Sequence, residues 1–310
     1  MTIDFSKTAF VFPGQGSQAV GMGRELAESF PAARAVFEEA DSILGFSFSK
    51  LMWDGPKEEL DDTVNTQPAL FIHSLAVWKT FSPLPAPVCV AGHSLGQLSA
   101  LTAAGALSFA DGLRLVRKRG ELMKLAGERN PGGMAAILGL DIPTLDKVCA
   151  EASTEAEIAQ VANDNCPGQV VISGHKTALE RAIAGAKAAG AKRALPLAVS
   201  IAAHSPLMAT IQSEWDAAVN ESPFSDAQIP VVGNVAAAPL STAEALRADV
   251  RAQMQNRVRW TESVRWMHAQ GAEIFVEAGT GSVLGGLVKR ILEGVTTLPL
   301  GNPQDFDALK

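Results

Sequence analysis

The feature that most constrains this chain is Gly92-His93-Ser94-Leu95-Gly96, entered from the apolar run Val88-Cys89-Val90-Ala91 and left through Gln97-Leu98-Ser99-Ala100. Gly-x-Ser-x-Gly between a strand-like and a helix-like run is the pattern of a nucleophile elbow, where a strand turns sharply into a helix. Both glycines suit a turn so crowded that a β-carbon would clash. Such a turn lifts Ser94 to its tip and aims unpaired helix N–H groups at whatever the serine attacks. An ordinary strand-to-helix turn with a serine near the helix start fits the same five residues, so the rest of the chain must decide.

The flanking pattern predicts an α/β architecture with parallel strands, because strand and helix signals alternate throughout. Thr8-Ala9-Phe10-Val11-Phe12 reads as a first strand, followed by the Gly-rich Pro13-Gly14-Gln15-Gly16-Ser17-Gln18. That spacing fits neither G-x-G-x-x-G nor a phosphate loop with its lysine. It is either a turn that offers a backbone N–H to a developing oxyanion or a plain tight turn. Helices are expected over residues 22–44 and 67–81, the second with Thr66 as N-cap and Pro68 in its first turn. Phe71, Leu75 and Trp78 recur there at core spacing. A Pro-rich stretch over residues 82–87 leads to the elbow strand.

Residues 127–199 change character. Strand 134–140, helix 143–152, strands 158–163 and 169–174, helix 176–190 and strand 192–197 form βαββαβ, the ferredoxin-like order. The chain therefore divides into a catalytic core, residues 1–126 and 200–310, and a ferredoxin-like inserted subdomain, residues 127–199. In the resumed core, Ser205 and Pro206 read as N-cap and first position of a helix. Strands are expected at 229–234, 273–277 and 296–300, and helices at 242–256, 260–270 and 283–292.

With 310 residues, 47% hydrophobic and 19% charged, the chain has an ordinary globular composition. A net charge of −7 argues against a generic nucleic-acid binder. The N-terminal residues lack a signal-peptide pattern, and no apolar run approaches the ~20 residues of a membrane span. Cys89, Cys149 and Cys166 form no CxxC or disulfide framework and are expected as buried thiols, so the expected location is cytoplasmic.

Two further positions bear on chemistry. In the helix that Ser108 and Asp111 should cap, Arg119 falls on the apolar face with Leu115, Val116, Leu122, Met123 and Ala126. A desolvated guanidinium there needs a partner. A buried Asp or Glu would satisfy it, and so would a substrate carboxylate gripped by its planar fork. A serine nucleophile also needs a base, usually histidine. His93 adjoins Ser94 but should pack beneath the turn, and His73 and His268 sit inside helices. His175 lies in a turn of the inserted segment. His204, at a loop-to-helix junction beyond the elbow, matches the Ser-before-His order of α/β hydrolases, with His268 and His175 behind it. No acidic third member stands out.

Phe12-Pro13-Gly14-Gln15-Gly16-Ser17-Gln18, Gly92-His93-Ser94-Leu95-Gly96, Arg119-Gly120, Pro167-Gly168-Gln169-Val170-Val171 and His204 together resemble the malonyl-CoA:acyl carrier protein transacylase family. The resemblance covers nearly the whole chain and implies an α/β-hydrolase-like core with a parallel sheet plus the ferredoxin-like insertion. It implies ping-pong transfer of a malonyl group from malonyl-CoA to the phosphopantetheine thiol of acyl carrier protein. Ser94 would be the nucleophile, His204 the base and acid, and Arg119 the carboxylate binder. The backbone N–H groups of Gln15 and Leu95 would form the oxyanion hole, and the Gln253 carbonyl would hold the imidazole. No cofactor is implied, since CoA and phosphopantetheine enter as substrate groups. Lys187, Lys192, Arg193, Lys289 and Arg290 are candidates for docking the anionic partners. The chain departs from the family pattern at Gln97, where glutamate commonly follows the elbow. It also departs at Ala202-Ala203, beside His204 in a region linked to acyl selectivity, and at Arg257, where proline is common. A serine esterase or thioesterase, which would pass the acyl group to water, and a non-catalytic scaffold are the competing readings; Arg119 speaks against the first, and Ser94, His204 and Arg119 together against the second.

Overall fold

A computed structural model describes residues 3–81 and 85–307, so part of the Pro-rich connector, residues 82–84, lies outside the described residues. The elements in chain order are β1 (Thr8–Phe12), α1 (Arg24–Ser29), α2 (Pro31–Leu44), α3 (Phe48–Asp54), α4 (Lys57–Asp61) and α5 (Thr63–Thr80). Then come β2 (Cys89–Gly92), α6 (Gly96–Ala103), α7 (Phe109–Arg129), β3 (Gly132–Leu138), α8 (Ile142–Ala152), β4 (Ala159–Cys166), β5 (Gln169–His175), α9 (Lys176–Ala188) and β6 (Arg193–Pro196). After a 3-10 turn at Pro206–Ile211 follow α10 (Gln212–Glu221), β7 (Val231–Val232), β8 (Pro239–Leu240), α11 (Ala243–Gln253), α12 (Trp260–Ala269), β9 (Ile274–Ala278), α13 (Val283–Ile291), β10 (Thr296–Leu300) and α14 (Pro303–Asp307).

Two sheets organise these elements. The larger runs β10-β9-β1-β2-β7-β8, parallel except for the short edge strand β8, and β1 and β2 at its centre are buried along their whole length. Such continuous apolar strands are what a parallel sheet covered on both faces requires. The smaller sheet runs β4-β5-β3-β6, antiparallel throughout, which is the expected ferredoxin-like order. One of its faces, with Ala135, Ile137, Val161 and Ile172, packs on α8 and α9 in a separate core. The small sheet is tied to the segment between α11 and α12 by a parallel bridge in which Asp164 N donates to Val258 O and Val258 N to Ala162 O.

Three local expectations need correction. The helix expected over 22–44 is two helices, broken at Phe30, with Pro31 starting α2 at N1, where a missing N–H costs nothing. Helix α5 starts at Thr63 with Asp62, not Thr66, as its side-chain cap, and Pro68 lies inside it. The carbonyl that Pro68 cannot serve is Val64 O, and Arg117 Nη1 donates to it at 3.1 Å, so a residue from α7 supplies the missing donor. The strand expected over 229–234 shrinks to Val231–Val232, which carries the added hairpin to β8. The caps at Ser108 and Ser205 form as expected, and Thr242, expected inside the helix it starts, caps it from outside. All three cysteines are buried, and burial pushes the Cys89 and Cys149 thiols up to about 12. Among the described residues no helix is long and apolar enough to cross a membrane.

Candidate active site

Ser94 stands at the C-terminal end of β2 with φ +51°, a left-handed conformation that a non-glycine residue adopts only under constraint. The constraint is steric. A β-carbon at Gly92 would lie 1.9 Å from Gly96 C and O, and one at Gly96 would lie 2.1 Å from Phe12 O. Asn234, just beyond β7, braces the turn from both sides: its Oδ1 accepts from Ser94 N at 2.8 Å and its Nδ2 donates to Gly92 O at 2.7 Å. Helix α6 begins two residues after the serine.

His204, also in the left-handed region at φ +58°, places Nε2 2.8 Å from Ser94 Oγ. Its Nδ1 lies 2.9 Å from Gln253 O, one of the last carbonyls of α11 and so without a full helical partner. A carbonyl only accepts, so the proton sits on Nδ1 and leaves Nε2 free to take the serine proton. Burial first, and the Arg119 charge second, push the His204 pKa down to about 3, so the ring is neutral at pH 7. A neutral backbone carbonyl thus fills the place of the acidic third member. Of the other histidines, His93 lines the same cavity, not the underside of the turn as expected, with Nε2 2.8 Å from Asn165 Oδ1 across it, and His73 is buried between Thr280 and Gly301. His175 takes the Ile158 N–H, and His268 faces Ala272 O.

Arg119 is 1% exposed. Of the two partners left open for it, a buried acid is not in contact with it among the described residues, and its contacts are neutral. Nη1 donates to Gln67 Oε1 at 2.7 Å, while Nη2 donates to Gln253 Oε1 at 2.8 Å and to Ser94 Oγ at 3.0 Å. Burial lowers its pKa to about 10, which leaves it charged at neutral pH. Among the described residues Nε has no acceptor, and Nη1 has one, Gln67 Oε1. Among the described residues Arg119 is therefore a buried cation with no carboxylate in direct contact.

These groups open into a cavity of about 250 Å3. Gln15, Ser94, Leu95, Arg119 and His204 line it from the body, while Met134, Asn163, Asn165 and Val171 line it from the small sheet. The backbone N–H groups of Gln15 and Leu95 have no acceptor among the described residues. Gly14 makes their approach possible, since a β-carbon there would lie 2.6 Å from His93 O.

Gln67, Asn234 and Asp249 belong to this site and carry no sequence signal that marks them. Of the departures from the family pattern, Gln97 bonds Asp249, Ala203 lines the cavity, and Arg257 pairs with Asp146 of α8. The five basic candidates for docking are all exposed, and Arg290 is engaged with Gln169 and Pro167 O.

Comparison with known proteins identifies the family. Residues 9–299 match the acyl transferase domain family. The chain is 46% identical over 302 residues to the malonyl CoA-acyl carrier protein transacylase of Escherichia coli, covering 97% of both chains. It is 44% identical to that of Bacillus subtilis, with 97% of this chain and 96% of the relative covered. Among solved structures, an acyl carrier protein S-malonyltransferase from Vibrio cholerae superposes with a TM-score of 0.95 at 43% identity, covering 98% of this chain and all of the other. A malonyl-transacylase in complex with its type II polyketide-synthase acyl-carrier protein gives a TM-score of 0.94 at 42% identity, with 98% and 99% covered. The chain belongs to the acyl transferase family, in its malonyl CoA-acyl carrier protein transacylase branch.

Proposed function

We propose that this chain moves a malonyl group from malonyl-CoA to the phosphopantetheine thiol of acyl carrier protein through a malonyl ester on Ser94. The observation that carries this reading is Arg119, a buried charged guanidinium in hydrogen-bond contact with Ser94 Oγ and with no carboxylate of its own. The free carboxylate of a malonyl thioester supplies the missing anion through charge-assisted hydrogen bonds. A simple ester or an acetyl group has none to offer.

In the first half-reaction, His204 Nε2 takes the Ser94 hydroxyl proton as Oγ bonds to the thioester carbonyl carbon. Negative charge moves onto the carbonyl oxygen, where the Gln15 and Leu95 N–H groups meet it, at about 3–4 kcal/mol per donor. Collapse breaks the carbon–sulfur bond, and His204 returns its proton to the leaving CoA sulfur. The second half-reaction runs the same path backwards. The carrier thiol gives its proton to His204 and its sulfur attacks the ester carbon, after which Ser94 Oγ leaves and recovers the proton. The Gln253 carbonyl keeps the imidazole in the tautomer both halves need. These side chains and N–H groups provide every proton transfer and charge contact in the scheme.

Intact-protein mass after mixing with malonyl-CoA tests this directly. A single malonyl adduct, absent in Ser94→Ala, weak with acetyl-CoA and discharged by holo-acyl carrier protein faster than by water, is the expected result. An adduct lost to water at a catalytic rate would make the protein a thioesterase. No adduct together with no CoA release would end the catalytic reading.

A further inference from the structure

Behind the catalytic groups runs a chain of buried side chains that the mechanism above does not use. Arg119 Nη2 donates to Gln253 Oε1 at 2.8 Å, Gln253 Nε2 donates to Gln97 Oε1 at 2.5 Å, and Gln97 Nε2 donates to Asp249 Oδ2 at 2.7 Å. Asp249, 7% exposed and on α11, accepts further hydrogen bonds from the backbone N–H groups of Asn234 (3.0 Å), Val235 (3.2 Å) and Ala236 (2.8 Å). The two glutamine amides can each stand in either of two orientations related by a flip, and a run of amides is self-consistent only when every donor meets an acceptor. The ends decide which orientation holds. Arg119 offers only donors, and Asp249 is the only carboxylate among the partners of this run.

We infer that Asp249 is a positioning residue for the acyl-transfer reaction: through Gln97 it fixes the direction of the Gln97–Gln253 amide relay, so that Gln253 turns its carbonyl, and not its NH2, toward Arg119. A reversed Gln253 amide would set two hydrogens against the guanidinium and withdraw Nε2 from Ser94 O, which it reaches at 2.8 Å. The guanidinium would then lose the acceptor that places Nη2 beside Ser94 Oγ. This also gives a physical account of Gln97, where the family pattern has glutamate: the relay needs one carboxylate, and here it stands one residue deeper, on α11.

The inference rests on the malonyl reading, because the predicted loss falls on the substrate carboxylate. The experiment is steady-state transfer by the full chain from malonyl-CoA and acetyl-CoA to holo-acyl carrier protein, comparing the parent, Asp249→Asn, and Gln97→Glu/Asp249→Asn. Asp249→Asn leaves one acceptor oxygen for donors on both sides: with its NH2 toward Gln97 Nε2 and Asn234 N the relay is frustrated, and with its NH2 toward Val235 N and Ala236 N those two backbone donors are frustrated instead. In the double variant amide and carboxylate trade places and the direction is restored, while the Asn234 N–H loses its acceptor as it does in the first of these orientations. The expected result is a rise of about tenfold or more in KM for malonyl-CoA in Asp249→Asn, with the acetyl reaction changed by less than about threefold and most of the malonyl loss recovered in the double variant. An Asp249→Asn enzyme with unchanged malonyl preference overturns the proposal. So does an equal fall in both reactions that the double variant fails to recover, which marks a structural role only. Should Asp249→Asn fail to fold, the double variant decides alone: malonyl KM within about threefold of the parent supports the relay, and a rise of about tenfold overturns it. A parent that shows no malonyl preference refutes the malonyl reading itself and is told apart from these outcomes by the parent arm.

Discussion

The parallel body and the antiparallel lobe meet at one cavity but contribute to it in opposite ways. Strands β1 and β2 are buried on both faces, so their side chains are committed to packing and the chemistry lies where the strands end, at Gln15 and Ser94. In the lobe, β3 alternates between two environments. Ala135 and Ile137 pack on the lobe helices while Met134 faces the cavity, and β5 likewise sends Ile172 inward and Val171 to the cavity. A doubly covered parallel sheet thus presents its function at turns, whereas a singly covered sheet can lend a whole face as a wall. Ser94, Arg119 and His204 all come from the body, and the lobe supplies apolar surface and two asparagines.

That contrast can be broken first by adding one methyl group to each side. Gly92→Ala drives a β-carbon into the Gly96 backbone at 1.9 Å, while Gly133→Ala meets only the tip of Leu179 at 3.2 Å. The body variant should lose about 4 kcal/mol or more and fail to accumulate as folded protein, and the lobe variant should lose about 1 kcal/mol. Soluble yield and urea midpoints read this out, and equal losses would erase the distinction.

A second comparison concerns rate. His204→Ala should slow acylation of Ser94 by roughly 10²–10⁴-fold. Asn165→Ala, which removes a single lobe hydrogen bond to His93, should cost less than about tenfold. Rapid-quench measurement of the acyl-enzyme separates the two.

The smallest effect is on stability in acid. His73 and His204 are buried and neutral, held at about 4 and about 3, against 6.5 when the chain unfolds. Below pH 6.5 the unfolded state therefore binds protons that the folded state refuses, and stability falls as pH drops toward 4. Each histidine contributes at most about 1.4 kcal/mol per pH unit. The melting temperature should fall from pH 7 to pH 5, and less steeply in His204→Ala; equal slopes would show that this ring does not drive the loss.

Much of the fold was legible because the signals are short in range. Period-2 and period-3.6 patterns, Ser108 as a cap and the two elbow glycines each act within a few residues, and they located the strands, most helices and Ser94. The misreadings arose where distant groups override local rules. Pro68 is tolerated inside α5 because Arg117, from another helix, serves the carbonyl that proline leaves unpaired. Arg119 was visible as a charge on an apolar face, yet its partners were not: the choice between an acid and a substrate carboxylate turned on Gln67 and Gln253, which nothing in the pattern marks.

By itself, the sequence determined the sharp turn at Ser94, the alternation that makes the α/β body, the βαββαβ order of the lobe and the burial of a guanidinium, since these follow from sterics and periodicity along the chain. Only the tertiary structure decided that Asn234 braces the serine across 140 residues, that Gln253 reaches Arg119 across 134, and that a helix-end carbonyl orients His204. Those pairings depend on which strand lies beside which, and strand order is set by how the whole core packs.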